Sequence, residues 1–158
     1  MPIRISRHAI KVGTPHTDLY LSPEHAIFLD GVLMPVKELV NGISILPALP
    51  ADVEVIEYFH ILLDTHEVVL AEGVPAETCL LSDRGYEDFT NFIEYERLYG
   101  NQGCPVMVPF APLVGYDGGR EHLKALLRLG VSPFVAVSDP VQSAYERLAA
   151  RAEQRVTS

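Results

Sequence analysis

Three of the six histidines, His25, His60 and His66, stand at the edges of apolar runs in the first half of the chain. An imidazole in that setting is either a hydrogen-bonded core group or part of a site, because its ordinary pKa lies near neutrality. Ser22-Pro23-Glu24-His25 puts a hydroxyl three residues before an imidazole, ahead of a tight turn. Converging at the mouth of a hairpin, such a pair can hydrogen-bond a strained carbonyl and protonate an amide nitrogen as it leaves. The same four residues also suit a plain turn that starts a strand. His8, His16 and His122 have charged or polar neighbours and read as solvated surface groups. Cys79 has no Lys, Arg or His within four residues to lower its pKa, and Cys104 precedes a proline. Both cysteines read as buried, inert thiols.

The elements that must hold these groups fall into two regimes. Residues 1–82 are short Ile-, Val-, Leu- and Phe-rich pieces separated by turn residues, which argues for a β core. Residues 25–29, Asp30-Gly31 and residues 32–36 form a strong hairpin pattern, since both central residues of that turn need positive φ. Residues 53–63 and 67–71 are expected as further strands, the second turning through Glu72-Gly73 into Val74. Residues 37–40 suit a helical turn or a strand equally. From residue 83 onward the pattern turns helical. Residues 86–99 carry Phe89, Phe92, Ile93 and Glu96 at helical spacing, and residues 120–129 carry Leu123, Leu126 and Leu127 as one stripe. Asp139-Pro140 reads as an N-cap with proline in the first turn. Behind it, Val141, Tyr145, Leu148 and Ala152 share one face of a helix reaching about Arg155. Residues 134–137 suit a strand. The division expected is a β domain over 1–82 and an extension with about three helices over 83–158.

Length and composition limit the classes. A chain of 158 residues fits one domain with an appendage and buries about two-thirds of its unfolded surface, enough for a core without staples. Twelve basic against 21 acidic residues leave a net charge of −9, which gives no basis for holding a phosphate backbone, so nucleic acid is not an expected partner. Two cysteines are too few for a disulfide framework and wrongly spaced for a metal clip. No apolar stretch is long enough to span a membrane, and the N-terminal residues lack a signal peptide's apolar core. A cytoplasmic location is the default, with a secreted parent chain left open.

Two ordered blocks carry a family likeness. SPEHAIFLDGVL (residues 22–33) resembles the Thr-x-x-His block and following strand of the hedgehog/intein (Hint) autoprocessing domain, with Ser in place of Thr. THEVVLAEGVPAETCL (residues 65–80) is similar to the family's later strand pair, in which a His precedes a Gly by seven residues. The likeness covers residues 1–82 and looks closest to the C-terminal part of the domain in its bacterial hedgehog-like branch. It implies an incomplete, mainly β Hint-type fold with a C-terminal α-helical extension and no cofactor. It also implies self-cleavage: an N-to-S or N-to-O acyl shift at the peptide bond preceding the domain. His25 would then labilise the scissile amide with Ser22 as hydroxyl partner, His66 would be the family's later His, and His60 would fall near an assisting Asp.

The departures shape the expectation. The family opens on a Cys-led strand, whereas the 21 residues before Ser22 contain no Cys. Inteins end in His-Asn, whereas residues 74–78 contain no Asn. Splicing is therefore not expected, and the chain alone is expected to be inactive. A metal-binding protein using some of His16, His25, His60 and His66 is the alternative, although no pair has the His-x-His spacing that organises zinc or copper. A non-catalytic interaction module is the third reading. The expected partners are an N-terminal fragment or upstream polypeptide, or a second copy. Strands around residues 3–10 and 61–63 are expected to be left as open edges, to be covered by the residues after Ser82, by a second copy or by an N-terminal fragment. Self-association is favoured because the −9 charge keeps a dimer soluble.

Overall fold

The computed structural model describes residues 1–53, 55–80, 89–99, 107–115 and 139–157. Among these residues, seven short strands form two antiparallel sheets. In the first sheet β1 (Ile3–Ile5) lies between β2 (Leu19–Leu21) and β5 (Ile45–Pro47), which the register shows by setting Ile5 opposite both Leu19 and Ile45. Alternation buries Ile3 and Ile5 and leaves Arg4 half-buried. Asn41 brings the chain into β5, its Oδ1 accepting from the amides of Ile43, Ser44 and Ile45.

The second sheet holds the elements that matter for chemistry. Two hairpins, β3 (Ala26–Leu29) with β4 (Val32–Pro35) and β6 (Val68–Ala71) with β7 (Val74–Glu77), lie side by side in the order β4-β3-β7-β6. Each closes through a two-residue turn with positive φ at both positions: 51° and 86° at Asp30-Gly31, 51° and 82° at Glu72-Gly73. Those angles belong to the hairpin turn whose twist matches its strands. β3 and β7 are the inner strands, which is why Ile27, Val74 and Ala76 are all buried. Residues 37–40, open in the sequence between helical turn and strand, belong to a 3-10 turn over Val36–Leu39 that buries Val36 and Leu39.

The later residues pack onto this β framework. Residues 112–114 run along the edge of β4, with Leu33 donating to the Pro112 carbonyl (2.9 Å) and Val114 donating to the Leu33 carbonyl (3.0 Å). α1 covers Phe92–Tyr99 and α2 covers Pro140–Val156. α2 begins as the sequence leads one to expect, with the Asp139 carboxylate accepting from the Val141 amide at 2.9 Å and Pro140 in the first turn. Ala144 and Leu148 join Ile3, Ile5, Ile27, Met34, Leu39 and Ile45 in one core. No described helix is long and apolar enough to cross a membrane.

Four expectations need correction. Residues 55–63 form no strand: they are irregular, have no ladder partner among the described residues, and leave Val55, Tyr58, Phe59 and Ile61 exposed. β1 is no open edge, since it is hydrogen-bonded on both sides, and residues 7–10 turn away instead of extending it. The first helix starts only at Phe92; Phe89 precedes it and Ile93 is exposed. On α2, Leu148 and Ala152 of the expected face are buried and Val141 packs against the core, but Ala144 takes the central place and Tyr145 stands at the half-buried flank, because the helix packs against the 3-10 turn and a small side chain permits the close approach. The elements expected at residues 120–129 and 134–137 lie outside the described residues.

Candidate active site

Backbone bonds bring the two sequence blocks together. The Ser22–His25 segment is a tight turn in which the His25 amide donates to the Ser22 carbonyl at 3.1 Å. Its far side is tied to the end of β4: Val36 donates to the His25 carbonyl at 3.0 Å and Lys37 to the Pro23 carbonyl at 3.1 Å. His25 is therefore held at the entrance of β3. Beside it, β7 ends on Glu77, because the strand pairing aligns Ile27 with Ala76. The Glu77 Oε1 accepts from the Ala26 amide at 2.7 Å, so this carboxylate caps the residue next to His25.

His66 approaches the same carboxylate from the other side. It precedes β6, only 3% exposed, and its Nε2 lies 3.7 Å from Glu77 Oε2. Its Nδ1 accepts from the Phe110 amide at 2.9 Å, so the neutral ring carries its proton on Nε2, facing Glu77. Thr78 fixes this end of the hairpin, its Oγ1 accepting from the Glu67 amide (2.9 Å) and donating to the Glu67 carbonyl (3.1 Å).

His60 arrives from the irregular segment. Its ring centroid is 4.9 Å from that of His25 and 6.1 Å from that of Phe89. One side-chain nitrogen of His25, one of His60 and a carboxylate oxygen of Glu77 all lie within 4.8 Å of one another. His25 and His60 border a cavity of about 650 Å³ whose wall also includes Tyr20, Ser22, Phe59 and Phe89.

Burial sets the charge states. It pushes His25 down to about 4, helped by the neighbouring His60 and opposed by a backbone hydrogen bond at Glu77. Burial lowers His66 as well, against a backbone hydrogen bond at Thr78 and the charge of Glu67. His60 is also lowered, chiefly by the desolvation of its packed ring and then by His66. Burial raises Glu77, against the stabilising Ala26 amide. At neutral pH the cluster is thus three neutral imidazoles around one carboxylate. A neutral imidazole with so low a pKa accepts a proton reluctantly and returns it readily, which suits delivery to a poorly basic leaving nitrogen.

Ser22, His25 and His60 share the cavity, while His66 reaches the cluster through Glu77. Glu77 itself was missed by reading the sequence. Its signal was a single acidic residue in the middle of an otherwise uncharged run, VPAETCL. Cys79 is buried, its amide donating to the Ile61 carbonyl at 2.7 Å. His16 is exposed with its ring against Gly73, and the His8 Nδ1 accepts from the Gly13 amide at 2.9 Å. His122 and Cys104 lie outside the described residues.

The family model of the Hint domain matches residues 1–83, more than half of the chain. The two packed hairpins and the two antiparallel sheets agree with a Hint β fold. This chain belongs to the Hint domain family, and its first half is a Hint-type autoprocessing domain. No curated protein and no solved structure matches it.

Proposed function

We propose that residues 1–82 supply the acid–base half of hedgehog-type autoprocessing: the C-terminal part of a Hint domain of the bacterial hedgehog-like branch. Residues 83–158 form its extension. The bond cleaved is the peptide bond at a junction with an upstream polypeptide, and that polypeptide or an N-terminal fragment is the partner. A Cys or Ser at the junction attacks the preceding carbonyl carbon, and the carbon–nitrogen bond breaks. The acyl group passes to sulfur or oxygen, and the nucleophile's proton ends on the released amine. His25 polarises the scissile amide and carries that proton, with Ser22 as its hydroxyl partner at the cavity wall. His60 keeps the His25 ring in place, and His66 acts through Glu77. Residues 1–158 alone are inert because the 21 residues before Ser22 include no Cys to begin the attack.

The observation that carries this reading is the convergence of His25, His60 and Glu77, the two imidazoles bordering one cavity, with His66 on the far side of the same carboxylate. Mass spectrometry over time is the test. The chain alone yields no fragment with thiols or hydroxylamine, whereas fusion to a Cys-led Hint N-terminal half yields one junction cleavage that His25→Ala slows by about 10² or more. A thiol-dependent fragment from the chain alone, or full cleavage by the His25→Ala fusion, would overturn it.

A further inference from the structure

We propose that His25, His60 and Glu77 form a binding site for a zinc-class divalent ion, and that the ion pins the irregular segment 55–63 onto the second sheet. The donor set is two imidazoles and one carboxylate, the nitrogen–oxygen combination that suits a borderline ion such as Zn²⁺. With metal–ligand bonds of 2.0–2.1 Å, tetrahedral donors stand about 3.4 Å apart. The present separations, within 4.8 Å, therefore need closing by roughly 1 Å.

The fold says which part closes. Glu77 ends the inner strand β7 and His25 is held at the entrance of its neighbour β3, whereas His60 sits on a stretch with no strand ladder among the described residues, tied to the sheet by the Cys79 amide on the Ile61 carbonyl. Moving His60 disturbs no ladder.

Two further observations point to a ligand. The Nε2 of His25 is buried and has no hydrogen-bond partner, an arrangement that costs free energy unless something occupies the position beside it. The carboxylate is already oriented: Ala26 donates to its Oε1 at 2.7 Å, and the His66 ring nitrogen faces its Oε2 at 3.7 Å. Outer partners of this kind steer a metal-binding carboxylate. Three protein ligands, two of them bordering a cavity of about 650 Å³, leave a fourth position for water. Spacing along the chain hides the site, because its ligands are 35 and 17 residues apart and the third is not a histidine. Metal ligation and proton transfer both use the His25 ring, so cleavage assays belong in chelator.

Calorimetric titration of the full chain with Zn²⁺, together with hydrogen exchange, tests the site without reading cleavage. Failure here leaves the autoprocessing reading standing, and failure of that reading leaves the site standing. The expected result is one Zn²⁺ per chain. Affinity falls about tenfold or more in His60→Ala, an exposed position, and in Glu77→Gln, which keeps an acceptor for the Ala26 amide. It stays unchanged in His16→Ala. Bound zinc slows amide exchange across residues 55–63, and Mg²⁺, which prefers oxygen ligands, gives no binding at the same concentration. Absence of zinc binding, or binding that His60→Ala and Glu77→Gln leave intact, overturns the site. Unchanged exchange over 55–63 overturns the pinning.

Discussion

Segment 55–63 is richer in Ile, Val, Leu and aromatic residues than the two hairpins of the second sheet, yet of these only the hairpins form strands. The difference lies in their ends. Asp30-Gly31 and Glu72-Gly73 adopt positive φ, which glycine takes without a steric cost, and so return each chain onto its neighbour in a single register. Residues 55–63 have no such turn and, among the described residues, no neighbouring strand, and most of their side chains stay outside: Phe59 is 84% exposed, whereas Ile27 in β3 is fully buried. Apolar composition supplies the material for a strand, but a partner within reach decides whether one forms. The contrast divides the candidate site as well, since His25, His66 and Glu77 belong to the paired sheet and His60 to the unpaired stretch.

Truncating one apolar residue on each side of that contrast gives the largest effect. Ile27→Ala removes a fully buried side chain and is expected to cost about 2–5 kcal/mol in chemical denaturation. Phe59→Ala should stay within about 0.5 kcal/mol. Comparable losses at the two positions would mean that residues 55–63 are packed as firmly as β3.

Acid should act on the paired side next. His25, His60 and His66 all have lowered folded-state pKa values, so the unfolded chain takes up protons first as pH falls. Their stability contribution is complete above 6.5 and is lost as pH falls through the folded pKa of His25, about 4. Glu77, raised by burial, works in the opposite direction and offsets part of the loss. Melting followed between pH 7 and 4 should show a net loss on the order of 2 kcal/mol that His25→Ala flattens. A profile that His25→Ala leaves unchanged would place the titrating group elsewhere.

The smallest effect belongs to the contact between α2 and the first hairpin turn. Arg147 and Asp30 pair at 2.7 Å, but both are about half exposed, so Arg147→Ala should lower stability by less than about 1 kcal/mol. A loss well above that in thermal unfolding would show that α2 docks through this ion pair and not through Ala144 and Leu148.

Much of the fold was legible because its signals are local. Two-residue turns, alternating apolar residues and the Asp139-Pro140 helix start act within a few residues of themselves, and the first hairpin, the second hairpin and the start of α2 followed them. The face of α2 was harder, since it depends on how closely the 3-10 turn approaches and therefore on a distant element. Within the site, Ser22 and His25 could be read as one motif because a single turn holds both. Glu77 could not, because its partners are Ala26, 51 residues away, and His66, 11 residues away just before the neighbouring strand.

By itself the sequence determined the mainly β character, both hairpins, the Hint family likeness and the residues able to carry protons, all of which rest on short-range patterns. Only the tertiary structure decided that β1 is an inner strand, that residues 55–63 remain unpaired, and that three histidines gather around one buried carboxylate. Those outcomes depend on which strands become neighbours. That choice is made by burying the shared core of Ile3, Ile5, Ile27, Leu39, Ile45 and Leu148, which no stretch of a few residues encodes.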